Sequence, residues 1–443
     1  MKKNIIKIKI PKNIYIQMLR DLKREHLFAS ERIGFLFSRT KKVDDHNTII
    51  TFCEYKSVTD ENYIKDKSVG AKINSSAIRE SMQTIMDKQY GCFHVHLHSH
   101  YGIPSPSHTD LKGGVPEIID SFYNIDANQT HGIIILSSDS IYAAIKMNGQ
   151  KKLITPEQIS VIGYPLKFIF PKKKMYKPDS TYSRQSFLGG NAQFIFEKIH
   201  IGIVGYGGGG SHIGQQLAHL GIKNITIFDN DKLEQSNLNR LIGGWFSDIK
   251  NATFKVDIAK RVIKKIFPSS IVKCIKDKWQ NKPEQLQQCD IVIGCIDSLL
   301  GRKELEAECR RYLIPYIDIG MDVHKMEDNS FISGQIILSM PGMPCLTCMG
   351  FLTDKNISQE VAKYGEAGLQ PQVVWSNGVL ASSAVGVVVD IITDWSKQTE
   401  RKVYLSYDGN SGIISNNVRA EYAGDCCSHY LIQQTGPPKF ISL

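Results

Sequence analysis

The 443-residue sequence predicts an α+β domain followed by an α/β domain with a mostly parallel sheet. Three observations carry this. Strand-like and helix-like stretches come in mixed order over residues 1–150. From Ile199 strand-like and helix-like stretches alternate. A glycine run, Gly205 to Gly210, closes the first strand of the alternating part. Such alternation implies parallel strands with helices on both sheet faces. At roughly 150 residues per domain, the length suggests about three domains, or two large ones.

In the first part, Ile5 to Ile10 alternates Ile and Lys, the period of a strand. Pro11 to Arg24 reads as a helix, Arg32 to Ser38 and Thr48 to Tyr55 as strands, and Ser75 to Lys88 as a second helix. Gly91 to His98 is an apolar/His strand, and Ser107-His108-Thr109-Asp110 has the form of a helix cap. Gly132 to Ser138 and Ile141 to Met147 form a hairpin. Residues 151–178 hold four prolines and the Lys172-Lys173-Lys174 run and read as a linker, or as a peripheral strand pair within it.

In the second part, strands are expected at His200 to Gly205, Asn224 to Asp229, Ile271 to Ile275, Cys289 to Asp297 and Pro315 to Ile319. Helices are expected at Ser211 to Leu220, Phe254 to Ile266 and Arg302 to Tyr312. Lys+Arg exceed Asp+Glu by 54 − 44 = 10, which permits an anionic ligand without demanding nucleic acid. No apolar stretch reaches the length of a membrane span; the best, Val379 to Val389, stops at Asp390. The Lys-interrupted start is a strand pattern rather than an export signal. With ten cysteines and no such signal, the expectation is a cytoplasmic protein with reduced thiols.

The run Ile201 to Gly210 fits strand followed by G-x-G-x-x-G, on Gly205, Gly207 and Gly210. Glycines allow a tight turn and bring backbone N–H groups to a phosphate at a helix N-terminus. Asp229, closing the next strand, is placed to bind a ribose. Alone, these features fit NAD enzymes equally well. The run Asp229-Asn230-Asp231-Lys232-Leu233-Glu234-Gln235-Ser236-Asn237-Leu238-Asn239-Arg240 separates the cases. It resembles the D-x-D-x-[VIL]-x-x-S-N-L-N-R signature of the ThiF/MoeB/HesA family, the ubiquitin-activating-like adenylyltransferases. Tyr182-Ser183-Arg184-Gln185 resembles that family's R-Y-S-R-Q element, Lys255 its ATP-binding lysine, and Asp290 to Asp297 followed by Arg302 its strand ending in a catalytic aspartate. The resemblance spans about residues 179–430. It implies ATP and magnesium, a homodimer in which Arg184 reaches the partner's ATP phosphates, and activation of a carboxylate. The residue chemistry agrees. An ionised carboxylate needs no general base. Arg184, Arg240 and Lys255 can offset phosphate charge. Asp297 can hold magnesium, and Asn237 can bond phosphate or ribose.

Cys345-Leu346-Thr347-Cys348 is a C-x-x-C, and Cys426-Cys427-Ser428-His429 follows much later. Such pairs hold structural zinc tetrahedrally. The expected ligands are Cys345, Cys348, Cys426 and His429, with Cys427 the alternative. Thioester-forming family members carry a cysteine on the segment corresponding to Phe351 to Trp375; none stands there in this sequence. Cys53, Cys92, Cys274, Cys289, Cys295 and Cys309 read as packing residues.

His94, His96, His98 and His100 share one face of a strand because side chains alternate. Two imidazoles and a carboxylate can hold a divalent metal with a position left for water. His98-Ser99-His100 with Ser107 and Asp110 resembles the H-[ST]-H-x(n)-S-x-x-D pattern of the JAB/JAMM (MPN+) metalloproteases, with a cytidine-deaminase-like α+β fold. Glu31-Arg32-Ile33-Gly34-Phe35-Leu36 resembles their upstream E-x-x-G-x-L strand. The resemblance implies zinc on His98, His100 and Asp110, Glu31 as general acid/base and Ser107 as oxyanion donor. Tyr101 stands where the family has proline, and the Tyr101 to Pro106 spacer is one residue short. The shifted pair His96 and His98 would make it one residue long, and the H-[ST]-H match favours His98 and His100.

The sequence thus reads as a JAMM-like domain at 1–150, a linker at 151–178 and a ThiF-like domain with a zinc knuckle at 179–443. The implied function is processing and ATP-dependent C-terminal adenylation of a small ubiquitin-like or sulfur-carrier protein, with a conjugating enzyme as further partner and without nucleic acid or membrane. Fusions of this form resemble bacterial ubiquitin-like conjugation modules, some linked to phage defence. Activation of a carrier for thiocarboxylate biosynthesis, an NAD oxidoreductase and a non-enzymatic scaffold with vestigial sites are the alternatives.

Overall fold

The computed structural model describes residues 4–25, 29–66, 70–149, 152–172, 176–177, 179–326, 329–363, 371–397 and 401–437. The chain divides into two compact units. One comprises residues 1–163, 167–174 and 431–443; the other comprises 164–166 and 175–430.

The first unit is an eight-stranded mixed sheet. Its strands are β1 (Ile5–Pro11), β2 (Ile33–Lys42), β3 (Asn47–Ser57), β4 (Gly91–Leu97), β5 (His131–Leu136), β6 (Ile141–Lys146), β7 (Gln158–Ile162) and β8 (Lys167–Ile169). Their order is β6-β5-β4-β2-β3-β1-β7-β8. The Ile/Lys alternation of β1 puts Ile6, Ile8 and Ile10 into one core with Ile14 and Met18 of the helix Lys12–Leu22. The opposite face of the sheet packs Phe35, Phe37 and Cys92 against Ile85 and Phe122, from the helices Ser75–Lys88 and Gly114–Ile125. The helix Ser75–Lys88 starts where Asn74 Oδ1 accepts the Ser76 and Ala77 N–H groups and ends at Gln89, in the left-handed region.

Of the two readings of residues 151–178, the strand pair is the one observed, and it belongs to the first sheet. β7 pairs in parallel with β1, and β8 closes on β7, so residues 158–169 extend the first sheet. The apolar Ile159 and Val161 are the reason, since both are buried in the first core. The tail from Leu431 also belongs to this unit: Arg39 Nη1 donates to the Thr435 carbonyl at 3.1 Å. Residues 173–175 and 178 of the expected linker lie outside the described residues.

In the second unit the strands are β9 (His200–Val204), β10 (Asn224–Phe228), β11 (Ile271–Ile275), β12 (Ile291–Gly294), β13 (Tyr316–Met326), β14 (Asn329–Ser339), β15 (Tyr404–Asp408) and β16 (Ile413–Asn416). The order is β11-β10-β9-β12-β13-β14-β15-β16. The first five pair in parallel, as the alternation predicts. β13 to β16 are antiparallel, so the sheet is mixed. β13 runs well past the expected Ile319 because its polar outer residues pair along the whole of β14. The helix Val374–Thr393 is long and apolar enough to cross a membrane, but 67% of its most apolar window is buried within the protein. It packs on the helix Gly208–Leu220 and on β13 and β14.

Candidate functional site

In the second unit a cleft of about 500 Å3 opens at the carboxyl ends of β9, β10 and β12. The strand order reverses there, β10 leaving β9 on one side and β12 on the other, the usual place for a ligand in such a sheet. Gly205 follows β9 with φ +89°, and a Cβ there would lie 2.4 Å from the Cys295 carbonyl oxygen. A Cβ on Gly210 would lie 2.1 Å from the Gly205 carbonyl oxygen. These two glycines let the loop turn and the helix begin against it. Gly207 caps the helix Gly208–Leu220, which starts before the expected Ser211 and directs its first free N–H groups to the cleft.

Asp229, Arg240, Lys255 and Asp297 line the same cleft, together with Gly205 and Gly207, while Gly210 is buried behind them. Asp229 accepts the Tyr206 N–H at 2.6 Å and the Asp231 N–H at 2.8 Å. Burial outweighs these bonds and the nearby Lys255, leaving the Asp229 carboxyl above its ordinary range. Lys255 is nearly buried and its Nζ pairs with Asp231 at 2.8 Å. Arg240 is held by the Ser236 carbonyl at 2.7 Å. Asp297 is exposed and accepts Gln372 Nε2 at 3.4 Å.

Two expected residues stand apart from the cleft wall. Asn237 is turned back on its own loop, where its Oδ1 accepts the Glu234 N–H at 3.4 Å and caps the short helix Gln235–Asn237. Arg184 is exposed on the short helical segment Ser180–Leu188. Conversely, Asp318 and Asn377 are absent from the site expected from sequence, and Arg302 enters there only as the landmark following Asp297, without a role. Arg302 lines the cleft and pairs with fully buried Asp318, whose other oxygen accepts the Tyr316 hydroxyl at 2.7 Å. Asn377 lines it too, leaving no room for a side chain on Gly208, whose Cβ would lie 2.5 Å from the Asn377 amide. The available signal was Asp318 itself, a lone acid in the apolar run Pro315 to Ile319.

Below the cleft, Cys345, Cys348, Cys427 and His429 place their ligand atoms within 4.8 Å of one another. His429 Nδ1 lies 3.5 Å from Cys345 Sγ and 3.3 Å from Cys348 Sγ, and Cys427 Sγ lies 3.8 Å from Cys348 Sγ. Cys427 therefore replaces the expected Cys426. Adjacent residues point apart, and here Cys427 is buried while Cys426 faces solvent. Three soft thiols and one imidazole are a donor set suited to zinc. Of the segment Phe351 to Trp375, residues 364–370 lie outside the described residues.

In the first unit the histidines fall in a different register from the expected one. His96 Nε2 lies 3.4 Å from Asp110 Oδ1, and His98 Nε2 lies 3.9 Å from Asp110 Oδ2. The two Nε2 atoms are 3.1 Å apart, and Glu31 joins them in one cluster. His100 is exposed, with Nδ1 2.9 Å from the Tyr101 carbonyl oxygen. The physical reason is that β4 ends at Leu97. The chain then bends, with His100 N–H donating to the His98 carbonyl, so the period-2 face stops at His98. Ser107 caps the helix His108–Lys112: its Oγ accepts the Asp110 N–H at 3.2 Å, and its own N–H donates to Asp110 Oδ2 at 2.7 Å. Burial raises the Asp110 carboxyl, but His96 and Ser107 more than offset it, and the net shift is downward. Below the cluster, His94 is fully buried, and burial pushes its imidazole down to about 3.

Against known proteins, the ThiF family model matches residues 182–428. Ubiquitin-like modifier-activating enzyme 5 of Rattus norvegicus is 26% identical over 249 residues, covering 51% of this chain and 56% of that protein. Molybdopterin-synthase adenylyltransferase of Escherichia coli K12 is 27% identical over 234 residues, covering 51% of this chain and 87% of that protein. The chain thus spans little more than half the length of the first of these. Among solved structures, E. coli MccB with ATP aligns at a TM-score of 0.45 and 21% identity, over 54% of this chain and 71% of that one.

Proposed function

We infer the function of this chain from the fact that it belongs to the ThiF family through residues 182–428. The second unit is read as an ATP-dependent adenylyltransferase for the C-terminal carboxylate of a small ubiquitin-like or sulfur-carrier protein. The reaction is protein–COO⁻ + ATP → protein–CO–AMP + pyrophosphate. The observation that carries this reading is the convergence of the helix N-terminus after Gly207 with Asp229, Arg240, Lys255 and Asp297 on one cleft. The helix N-terminus and Arg240 take phosphate charge, Asp229 takes the ribose, and Asp297 holds the magnesium that accompanies ATP. Lys255, paired with Asp231 in the free protein, exchanges that partner for a phosphate. In a homodimer, exposed Arg184 serves the other copy's cleft.

The first unit is read as a zinc hydrolase that trims or releases the same tail, supported by the Glu31, His96, His98 and Asp110 cluster. His96, His98 and Asp110 would hold the ion. Bound zinc would acidify a water and polarise the scissile carbonyl. Glu31 takes up a proton and passes it to the leaving amine, and Ser107 fixes Asp110 through its reciprocal cap. A second zinc, on Cys345, Cys348, Cys427 and His429, is structural.

Mass spectrometry of candidate carriers incubated with the chain, ATP and magnesium tests both readings. An adenylated carrier that disappears with Asp297→Ala supports the first. A shortened carrier that persists with Asp297→Ala and disappears with Glu31→Gln supports the second. Carriers unchanged by the parent chain contradict both.

A further inference from the structure

The buried side chains of the helix Leu299–Arg311 include a charged pair that the adenylation chemistry does not use. Glu306 is fully buried and Arg310 is 3% exposed. Four residues apart, they lie on one helix face. Glu306 Oε1 accepts the Leu346 N–H at 2.8 Å, the backbone group between Cys345 and Cys348. The same oxygen accepts the Ser339 hydroxyl. Arg310 donates Nε to Ser339 Oγ at 2.8 Å, Nη1 to the Met343 carbonyl at 2.9 Å and Nη2 to the Pro344 carbonyl at 2.8 Å. Its guanidinium also lies 5.8 Å from the ring of Tyr430, which follows His429.

Together these bonds fix the backbone on both sides of Cys345 and brace the residue beside His429. Burying charged side chains is costly unless they are paired and hydrogen-bonded, and here three of the five bonds, to Met343, Pro344 and Leu346, end on the segment carrying Cys345 and Cys348. Arg310 also supplies positive charge beside a cluster that becomes anionic when three thiolates surround a divalent ion.

We propose that Glu306 and Arg310 are positioning residues for the Cys345, Cys348, Cys427 and His429 cluster, holding it ready for a tetrahedral thiophilic cation such as zinc. The proposal rests on the reading of that cluster as a metal centre. It gives the helix two roles, since its start lines the nucleotide cleft through Leu300, Gly301 and Arg302 and its end supports the cluster.

The test uses the full chain, stripped of metal and titrated with cobalt and then with zinc. A thiolate-to-cobalt absorption band reports only the cysteine cluster and is silent on the histidine site of the first unit. The variants are Arg310→Lys, which keeps charge and loses the fork, Arg310→Met, and Glu306→Gln, which keeps shape and loses charge. Arg311→Met, next along the helix and exposed, is the control. Loss of supporting bonds around a metal site usually weakens binding about 10–100-fold. We expect a loss in that range for Arg310→Met and Glu306→Gln, a smaller one for Arg310→Lys and none for Arg311→Met, the band position itself being kept. Thermal unfolding of the metal-free variants separates folding defects from lost affinity, and the conservative Lys and Gln forms keep the comparison available if Met does not fold. Variants that bind as tightly as the parent overturn the proposal while leaving the metal centre standing. A parent chain that shows no band overturns both.

Discussion

At the scale of single residues, the two clusters of candidate metal ligands show where sequence spacing misleads. In each, a pattern match selected the neighbour of a residue that the backbone brings in. His100 fits the H-[ST]-H match, yet the end of β4 at Leu97 turns it outward and leaves His96 and His98 beside Asp110. Zinc analysis of the purified chain checks this: His96→Ala should lose one equivalent of bound zinc, and His100→Ala should retain it. Arg302 and Asp318 form a buried pair that spacing did not reveal, because its partners come from different elements. Asp318→Asn leaves the guanidinium without its counter-charge, and we expect it to lower unfolding free energy by about 3–5 kcal/mol in denaturant titration. Asp248 provides a pH-dependent contribution. The Arg261 guanidinium donates to both of its oxygens at 2.7 Å and holds its carboxyl below the usual carboxylate range. Its contribution is complete above about pH 4, the unfolded value, and is lost as pH falls through the folded one. Stability of Asp248→Asn should therefore fall less steeply on acidification than that of the parent.

At the scale of elements, the legible parts were those whose local chemistry agrees with their tertiary role. β1, the helix Ser75–Lys88, the Ser107 cap and the five parallel strands all follow from periodicity and capping residues. The antiparallel β14 to β16 were not assigned, since their pairing is decided by long-range partners that no local pattern encodes. For residues 151–178 the prolines and lysines left a linker and a peripheral strand pair both open; burial of Ile159 and Val161 in the first core decides for the pair. The glycine loop was legible because its constraint is local. Gly205→Ala places a methyl group against the Cys295 carbonyl at a positive φ, a strain of about 1–3 kcal/mol. We expect it to lower the thermal midpoint and to weaken ATP binding in calorimetry, whereas an alanine at exposed Gly190, where a Cβ meets nothing within 4 Å, should do neither.

At the scale of the whole molecule, each unit contains its own candidate site, the one proposed to take phosphate charge and the other a divalent ion. The family match covers the second unit, while the reading of the first rests on how its own residues converge. Both proposed readings take one substrate, the C-terminal tail of a small protein. The deciding experiment is the intact mass of one purified carrier incubated with the full chain, ATP and magnesium, in parallel with the Asp297→Ala and Glu31→Gln forms. The expected result is an adenylyl adduct on the carrier's terminal carboxylate, absent with Asp297→Ala, and a shortened or released tail, absent with Glu31→Gln. An adduct formed equally by parent and Asp297→Ala, or a tail processed equally by parent and Glu31→Gln, would contradict it.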